Sequence, residues 1–241
     1  MTRSFSPTLP AALLAATLAG LAGPARAAAD VLVDDFTTGF YRSPQVKSGI
    51  VDGPLQTGRM LGGSRLTRLD VCDTDVPNAC TLGNPYNLGN AYAIARSRNA
   101  AYPPALSLSS GALVGPRLDV YYGEGPAGMN VDLGSSPTRR LRLSFGALSQ
   151  PLNFNVLMYS GAARSQDGCN VLEINHPFVI EVPFAEFTAE FQGGFDPHAV
   201  TLIDLALGSG SAIGSIEWVL EKVEVSDTTL PGAIHCGPIG Q

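Results

Sequence analysis

Alternation of apolar and polar residues with a period of two is the dominant pattern of the chain. In residues 172–184 the odd positions include Glu173, Asn175 and Glu181, whereas the even positions are mostly apolar. Because successive side chains of a strand point to opposite faces, this pattern predicts strands that are half buried on one sheet face. The predicted inward set is Leu172, Ile174, His176, Phe178, Ile180, Val182 and Phe184.

Two earlier segments show the same alternation. Residues 140–145 place Arg140 and Arg142 outward, and residues 153–158 place Asn153 and Asn155 outward. The inward residues are Leu141, Leu143 and Phe145 in the first segment and Phe154, Val156 and Met158 in the second. We expect these two segments to be neighbouring antiparallel strands.

Further strands are predicted between clusters of Gly, Pro, Asn and Ser. They cover residues 31–36, 59–70, 91–97, 105–108, 118–122, 200–207 and 213–225. The last strand changes parity, because Trp218 and Leu220 share one face while Val223 and Val225 share the other. An extra residue near Glu221 would keep both pairs buried, so we predict a β-bulge there.

The pattern predicts an all-β fold. Gly and Pro interrupt nearly every window of about a dozen residues after the first 27, and no long helical stripe is present. Many short antiparallel strands with one apolar face each must bury those faces against a second sheet. We therefore predict a two-sheet antiparallel β-sandwich of jelly-roll type, with a closed barrel as the alternative.

The first 27 residues have the features of a signal peptide. Arg3 precedes an apolar segment at residues 9–23, and Ala25, Arg26 and Ala27 form a small-x-small cleavage site. We expect cleavage near Ala27, a single β-sandwich domain at residues 28–241, and a secreted or periplasmic location. No later stretch approaches the roughly 20 apolar residues of a membrane helix, so no membrane insertion is expected.

Charge argues against two classes of partner. Without Arg3 and Arg26, 13 of the 15 basic residues remain against 21 acidic ones, a net charge of −8. Lysine occurs only at Lys47 and Lys222, and the arginines are scattered. Binding to nucleic acid requires a clustered basic surface, so neither nucleic acid nor anionic lipid is an expected partner.

All four cysteines lie in the exported part of the chain, where an oxidising compartment favours disulfides. They are Cys72, Cys80, Cys169 and Cys236. Three pairings are open, and the short loop between the first two favours Cys72–Cys80 together with Cys169–Cys236. The rival interpretation is a metal site, but this spacing matches no common zinc motif.

Several short motifs resemble those of a loose group of secreted bacterial β-sandwich proteins. They are Asp34-Asp35-Phe36, the segment at residues 59–65, Phe184-x-x-Phe187 and Leu205-Ala206-Leu207-Gly208. That group is similar in fold to galactose-binding-like and carbohydrate-binding jelly rolls, and most of its members have no assigned activity. The resemblance implies the same fold here.

In sandwiches of this kind the first and last strands often lie close and share a structural calcium ion. The resemblance therefore implies a possible structural calcium site with ligands from Asp34 or Asp35 and from Glu224 or Asp227, completed by backbone carbonyls. Ordinary turn chemistry at the strand ends is the competing interpretation.

Catalytic motifs are sparse in this sequence. The three histidines, His176, His198 and His235, accompany neither a G-x-S-x-G nucleophile elbow nor an H-E-x-x-H metal helix. Sugar hydrolysis needs two carboxyl groups about 5 to 10 Å apart. The candidates are Glu217, Glu221 and Glu224 on the last strand, and Asp119 and Glu124 around Tyr121. Solvated strand faces explain these acids better.

Tyrosines give the best indication of binding, because sugar rings stack on exposed aromatic planes. Tyr86, Tyr92 and Tyr102 fall in a Gly-, Asn- and Pro-rich region, and Tyr121 takes the outward parity of its strand. The leading hypothesis is thus an exported non-catalytic β-sandwich that binds polysaccharide or a cell-surface glycan, or forms part of an extracellular surface. The alternatives are a jelly-roll polysaccharide-degrading enzyme and a self-assembling structural subunit.

Overall fold

The computed structural model describes residues 29–47, 49–71, 93–97, 104–111, 115–126, 128–209 and 216–237. These residues form fifteen strands and two short 3₁₀ turns, Leu61–Gly63 and Phe184–Glu186. The strands are β1 (Val31–Asp34), β2 (Gly49–Asp52), β3 (Gln56–Thr57), β4 (Ser64–Val71), β5 (Ala93–Ser97), β6 (Leu106–Ser110), β7 (Pro116–Tyr122), β8 (Arg140–Leu148), β9 (Leu152–Ser160), β10 (Ala163–Val171), β11 (Phe178–Pro183), β12 (Thr188–Phe191), β13 (Leu202–Ser209), β14 (Glu217–Ser226) and β15 (Ile234–His235).

The strands belong to two sheets. Sheet I has the order β15-β11-β8-β14-β6-β5, with β1 also paired to β14. Sheet II has the order β12-β10-β9-β13-β7-β4-β2, with β3 beside β4. All pairings are antiparallel except that of β11 with β15. The chain crosses repeatedly between the sheets, which confirms the prediction of a two-sheet β-sandwich of jelly-roll type.

The inward side chains of both sheets form one core. Trp218 is fully buried, as are Leu118, Val120 and Tyr122 on β7. Phe145 meets the edge of the Trp218 ring at 6.3 Å between centroids, the edge-to-face arrangement that aromatic pairs prefer. Burial of each large apolar side chain stabilises the fold by about 1.5–3 kcal/mol, which explains why the alternating strands assemble in this way.

The predicted β-bulge in the last strand is confirmed. Leu220 lies opposite Phe145 and Lys222 lies opposite Ser144, so Glu221 is the extra residue. One step earlier Val219 lies opposite Ala147, which leaves Gly146 as an extra residue on β8. Both strands therefore shift parity at the same place, and each keeps its apolar residues in the core.

The prediction that residues 140–145 and 153–158 form neighbouring strands is wrong. They belong to β8 of sheet I, which pairs with β11 and β14, and to β9 of sheet II, which pairs with β10 and β13. Residues 149–151 carry the chain from one sheet to the other. Two strands joined in this way pack face to face across the core and share no backbone hydrogen bonds, although their side-chain patterns are those of a hairpin.

The inward prediction is also wrong for Leu172 and His176, whereas Ile174 does pack against the core. Leu172 is 75% exposed and His176 is exposed, because residues 172–177 connect β10 to β11 rather than extending β11. Ile174 makes only an isolated bridge to Leu148.

Strand β10 was not predicted from the sequence, because it shows no apolar alternation. Most of its positions are polar, namely Arg164, Ser165, Gln166, Asp167 and Asn170.

Arg140, Arg142 and Glu181 do face away from the core, but they are buried rather than solvated. Glu181 is fully buried and accepts hydrogen bonds from Arg140 at 3.1 Å, from Arg142 at 3.2 Å and from the Leu230 amide at 3.0 Å. Residues 227–236 cover this outer face of sheet I and carry β15. The sequence pattern gave the correct face but missed the covering segment.

A disulfide holds that segment in place. Cys169 on β10 is bonded to Cys236, which directly follows β15, with 5.3 Å between the Cα atoms. This part of the predicted cysteine pairing is confirmed, whereas Cys72 and Cys80 lie outside the described residues. The part of the chain that the structure describes contains no helix with the length and apolarity needed to cross a membrane.

Candidate functional site on the outer face of sheet II

The outer face of sheet II presents a set of polar and aromatic side chains around Tyr121. Strand register places Tyr121 on β7 between Leu66 on β4 and Asp204 on β13. Asp204 in turn lies opposite Leu157 on β9. Residues in such a row are cross-strand neighbours about 5 Å apart, so they form one continuous surface.

Two arginines lie on the same face as Tyr121, and each is bound to a different aspartate. Arg68 donates to Asp52 at 2.6 and 3.4 Å, and its guanidinium carbon lies 5.9 Å from the centre of the Tyr121 ring. Arg117 donates to Asp119 at 2.7 and 3.0 Å. These two-point bonds fix the arginine planes, and the contact with Arg68 orients the Tyr121 ring.

Two polar atoms at the centre of this face are buried without a partner. They are Oδ1 of Asp204 and Oδ1 of Asn155, neither of which has a hydrogen bond to any described residue. Asp204 is only 8% exposed, and no arginine hydrogen bond reaches its carboxyl in the described structure. A buried acceptor without a partner costs about 1–3 kcal/mol, and the cost is larger for a charged group, so the fold disfavours the ionised form of Asp204.

Burial changes the acid–base properties of the face. Loss of solvation, together with the nearby Asp119 charge, raises the pKa of Asp204 to about 7. Burial and the same acidic neighbours raise the pKa of Tyr121 to about 12. Near neutral pH the Tyr121 hydroxyl therefore keeps its proton. The Asp204 carboxyl group is neutral in a large fraction of the protein molecules.

An amide ladder continues the polar surface toward β10. Asn153 donates to Asn170 at 2.9 Å, and Asn155 donates to Gln166 at 3.3 Å. Carboxamides, carboxyl groups and a half-exposed phenol are groups that donate and accept hydrogen bonds without a fixed charge. Together they suit an uncharged polyhydroxylated ligand.

The structure tests the placement of Tyr121 but not that of the other three tyrosines. Tyr121 is half-buried on the outward side of β7, with Leu118, Val120 and Tyr122 on the inward side, as its parity predicts. Tyr86, Tyr92 and Tyr102 lie outside the described residues, and their role in ligand binding stays a prediction.

The acids of the calcium prediction are placed on different surfaces. β1 does pair with β14. Asp34 points into the sandwich and is bound to the buried Arg65, whereas Glu224 points outward to Arg142 at 3.0 Å. Asp35 accepts from the Thr37 amide, and Asp227 is paired with Arg139 at 3.2 Å. Within the described ranges no three His, Cys, Asp or Glu side chains are grouped as metal ligands are.

The other acids and the histidines are dispersed. Glu217 and Glu221 are exposed on β14, while Glu224 is buried between Arg142 and Lys222 and is not on a solvated face as expected. Asp119 is likewise 1% exposed and bound to Arg117. His198 contacts the exposed Asp132 at 2.9 Å, and His235 lies 3.6 Å from Glu181.

Arg68, Arg117 and Asp204 were not singled out from the sequence. Their outward parity is readable, since each alternates with buried apolar residues on its strand. The sequence does not show that these three residues share one surface, because β4, β7 and β13 are far apart in sequence. Only the strand order brings them together.

No protein-family model and no curated protein sequence matches the chain. Among solved structures, the chain is similar to a family 11 carbohydrate-binding module from Clostridium thermocellum in complex with a beta-1,3-1,4-mixed-linked tetrasaccharide, with a TM-score of 0.40 and 10% identity over 86% of this chain and 97% of that one. A family 30 carbohydrate-binding module of a Clostridium thermocellum cellulosomal cellulase has a TM-score of 0.40 and 13% identity over 83% and 98% of the two chains. The agarase AgWH50C has a TM-score of 0.38 and 10% identity, over 52% of this chain and 22% of that chain. These values are too low to assign an activity.

Proposed function

We propose that this protein is an exported, non-catalytic β-sandwich that binds a glycan on the outer face of sheet II. The observation that carries the proposal is the half-buried Tyr121 at the centre of a sheet face whose charged neighbours are held in fixed positions. An oriented aromatic ring gives a sugar a stacking surface, and the surrounding amides and carboxyl groups give its hydroxyls hydrogen-bonding partners.

Export is supported by two independent features. The first 27 residues have the sequence of a signal peptide, and the Cys169–Cys236 disulfide is of the kind that persists in oxidising compartments. We also propose that the protein is a member of the loose group of secreted bacterial β-sandwich proteins that its motifs resemble. Amino-terminal sequencing of protein recovered from the periplasm or medium would begin near Ala28 if the leader is removed as proposed.

The direct test is binding of the purified protein to a panel of insoluble and soluble polysaccharides. We expect retention on at least one polysaccharide, and we expect Tyr121→Ala to reduce that retention at least tenfold because the stacking surface is lost. Phe40→Ala is the matched control, since Phe40 is an exposed aromatic in the loop after β1. Equal retention of the Tyr121→Ala and Phe40→Ala variants would refute the site.

The non-catalytic part of the proposal is tested separately. Incubation of each bound polysaccharide with the protein should release no reducing ends and no unsaturated sugars. Release that disappears in Glu217→Gln or Glu221→Gln would instead establish the degrading enzyme that the sequence left as an alternative.

The calcium site stays a prediction, and the melting temperature measured with calcium and with chelator tests it. A calcium ion bound by Asp34 or Asp35 with Glu224 or Asp227 would raise the melting temperature, and chelator would lower it. The arginine partners of Asp34, Glu224 and Asp227 weigh against this site, because they already balance the carboxylate charges.

A further inference from the structure

Asp204 is a buried carboxyl group on the outer face of sheet II, and it forms no ion pair with a described residue. Arg68 gives two hydrogen bonds to Asp52, and Arg117 gives two to Asp119. Both guanidinium groups are thus engaged with other carboxylates, while Oδ1 of Asp204 is buried and unpartnered among the described residues. The carboxyl lies one strand away from the Tyr121 ring, in the same row.

The groups around Asp204 favour its neutral form. Strand β9 contributes no charge at this point, since the neighbouring side chains are Asn155 and Leu157. The titratable and charged groups that surround the Asp204 carboxyl are Arg117, Asp119 and Tyr121 on β7, Arg68 on β4 and Glu124 beyond β7. Burial is the main cause of the raised pKa of Asp204, the Asp119 and Glu124 charges act in the same direction, and the Arg117 and Arg68 charges oppose them.

We propose that Asp204 is the specificity-determining residue of the Tyr121 site, and that its protonated carboxyl donates a hydrogen bond to a hydroxyl or ring oxygen of a neutral glycan stacked on Tyr121. This rests on the proposed function and names its ligand class. A neutral carboxyl donates one hydrogen bond and accepts others, as a sugar hydroxyl requires. The Arg68 and Arg117 charges are already balanced by Asp52 and Asp119, so a ligand with carboxylate or sulfate groups has no unpaired guanidinium to bind at this site.

The inference gives affinity a definite dependence on pH. The donor is present when the carboxyl is protonated and is lost as the pH rises through about 7. Between pH 6 and pH 8 the protonated fraction falls about tenfold, so the association constant should fall by about the same factor. Asp204→Asn replaces the carboxyl by a permanently neutral donor of the same shape and should remove this dependence.

Affinity gel electrophoresis at pH 6 and pH 8 tests the proposal, with hydroxyethyl cellulose, galactomannan and arabinoxylan as neutral probes and alginate and polygalacturonate as acidic ones. We expect retardation by a neutral probe that weakens about tenfold at pH 8. Asp204→Asn should bind equally at both pH values, and Asp204→Ala should bind at least tenfold more weakly than wild type at pH 6. Glu173→Gln, an exposed acid in the loop before β11, should behave as wild type.

The outcomes separate this inference from the proposed function. Binding that requires Tyr121 but is unchanged in Asp204→Ala, or that favours the acidic probes, overturns the role of Asp204 and leaves the glycan site standing. Absence of binding to every probe by folded wild-type protein overturns both. Melting curves of all variants confirm that each is folded at both pH values.

Discussion

Arg65 shows how a charged residue is accommodated inside the sandwich. It is fully buried, pairs with Asp34, donates to Gln56 at 3.2 Å and to the Gly39 carbonyl at 2.6 Å, and lies 5.1 Å from the centre of the Phe36 ring. Burial raises the pKa of Asp34, and the Arg65 charge opposes that rise. The pair fixes the loop after β1 onto β4.

Removal of Arg65 should therefore be costly. Arg65→Leu leaves Asp34 buried without its partner, and we expect the free energy of unfolding to fall by about 3–5 kcal/mol. Urea denaturation measures this change, with Arg42→Ala as a control, since Arg42 is exposed and should change stability by less than about 0.5 kcal/mol. If Arg65→Leu behaves like Arg42→Ala, the buried pair contributes nothing to the fold.

Side-chain parity is what the sequence predicts best at this scale. Trp218 in the core, Tyr121 outward and the extra residue at Glu221 all follow from local alternation, because a strand can bury only one face. The burial of Glu181 and Asp204 does not follow. The burial of Glu181 depends on residues 227–236, and the burial of Asp204 depends on strands from distant parts of the sequence. No local pattern encodes either contact.

At the level of strands, Gly168 is required for the close approach of β10 to β9. A Cβ atom at Gly168 would lie 2.2 Å from the Phe154 carbonyl oxygen and 2.9 Å from the Asn155 Cα, and backbone atoms cannot move aside as a flexible side chain can. The strand pair must open if that position carries a side chain.

Gly168→Ala should lower the free energy of unfolding by about 1–3 kcal/mol. Gly208→Ala on β13 is the matched control, because its Cβ would meet its nearest neighbours at 3.7 Å and beyond, an ordinary contact distance. Thermal unfolding of the two variants should differ by several degrees. Equal melting temperatures would show that β10 does not need a glycine at this position.

The disulfide joins two elements that no backbone pairing connects, β10 of sheet II and the end of β15. It closes a loop with a sequence separation of 67 residues. On the chain-entropy account such a loop stabilises the fold by about 4 kcal/mol. Cys169→Ala with Cys236→Ala should lower the denaturation midpoint accordingly, and amide hydrogen exchange should increase first in residues 227–236. Uniform exchange in both proteins would contradict the role of the bond as a local clamp.

For the whole molecule, raised carboxyl pKa values determine how stability changes with pH. Burial raises the pKa of Asp167 to about 6 and that of Asp204 to about 7, against about 3.8 for an unperturbed aspartate. The fold therefore favours the protonated forms. Their contribution to stability is fully present below about pH 4 and is lost as the pH rises through 6 and 7.

We expect the melting temperature to be higher at pH 5 than at pH 8. Asp167→Asn with Asp204→Asn should flatten this difference, because neither amide titrates, whereas Glu173→Gln should keep the wild-type slope. Differential scanning calorimetry between pH 4 and pH 8 measures the effect. A wild-type melting temperature that rises steadily over this range would mean that the two carboxyl groups are solvated in the fold.

The strand order of the whole sandwich was beyond the reach of the sequence. Residues 140–145 and 153–158 show why, since a hairpin within one sheet and a crossing between two sheets bury the same apolar side chains. The difference lies in which backbones exchange hydrogen bonds, and that choice depends on the complete set of strands.

The position of β13 and β14 in that order has a consequence for how the protein is made. These are the last long strands of the chain, yet each lies in the middle of its sheet, β13 between β9 and β7 and β14 between β8 and β6. A nascent polypeptide that stops short of residue 202 lacks the central strand of each sheet. The strands on either side then have no partner between them. Synthesis must almost finish before either layer can close, so the export that we propose would find an extended chain ready to pass through a translocation channel.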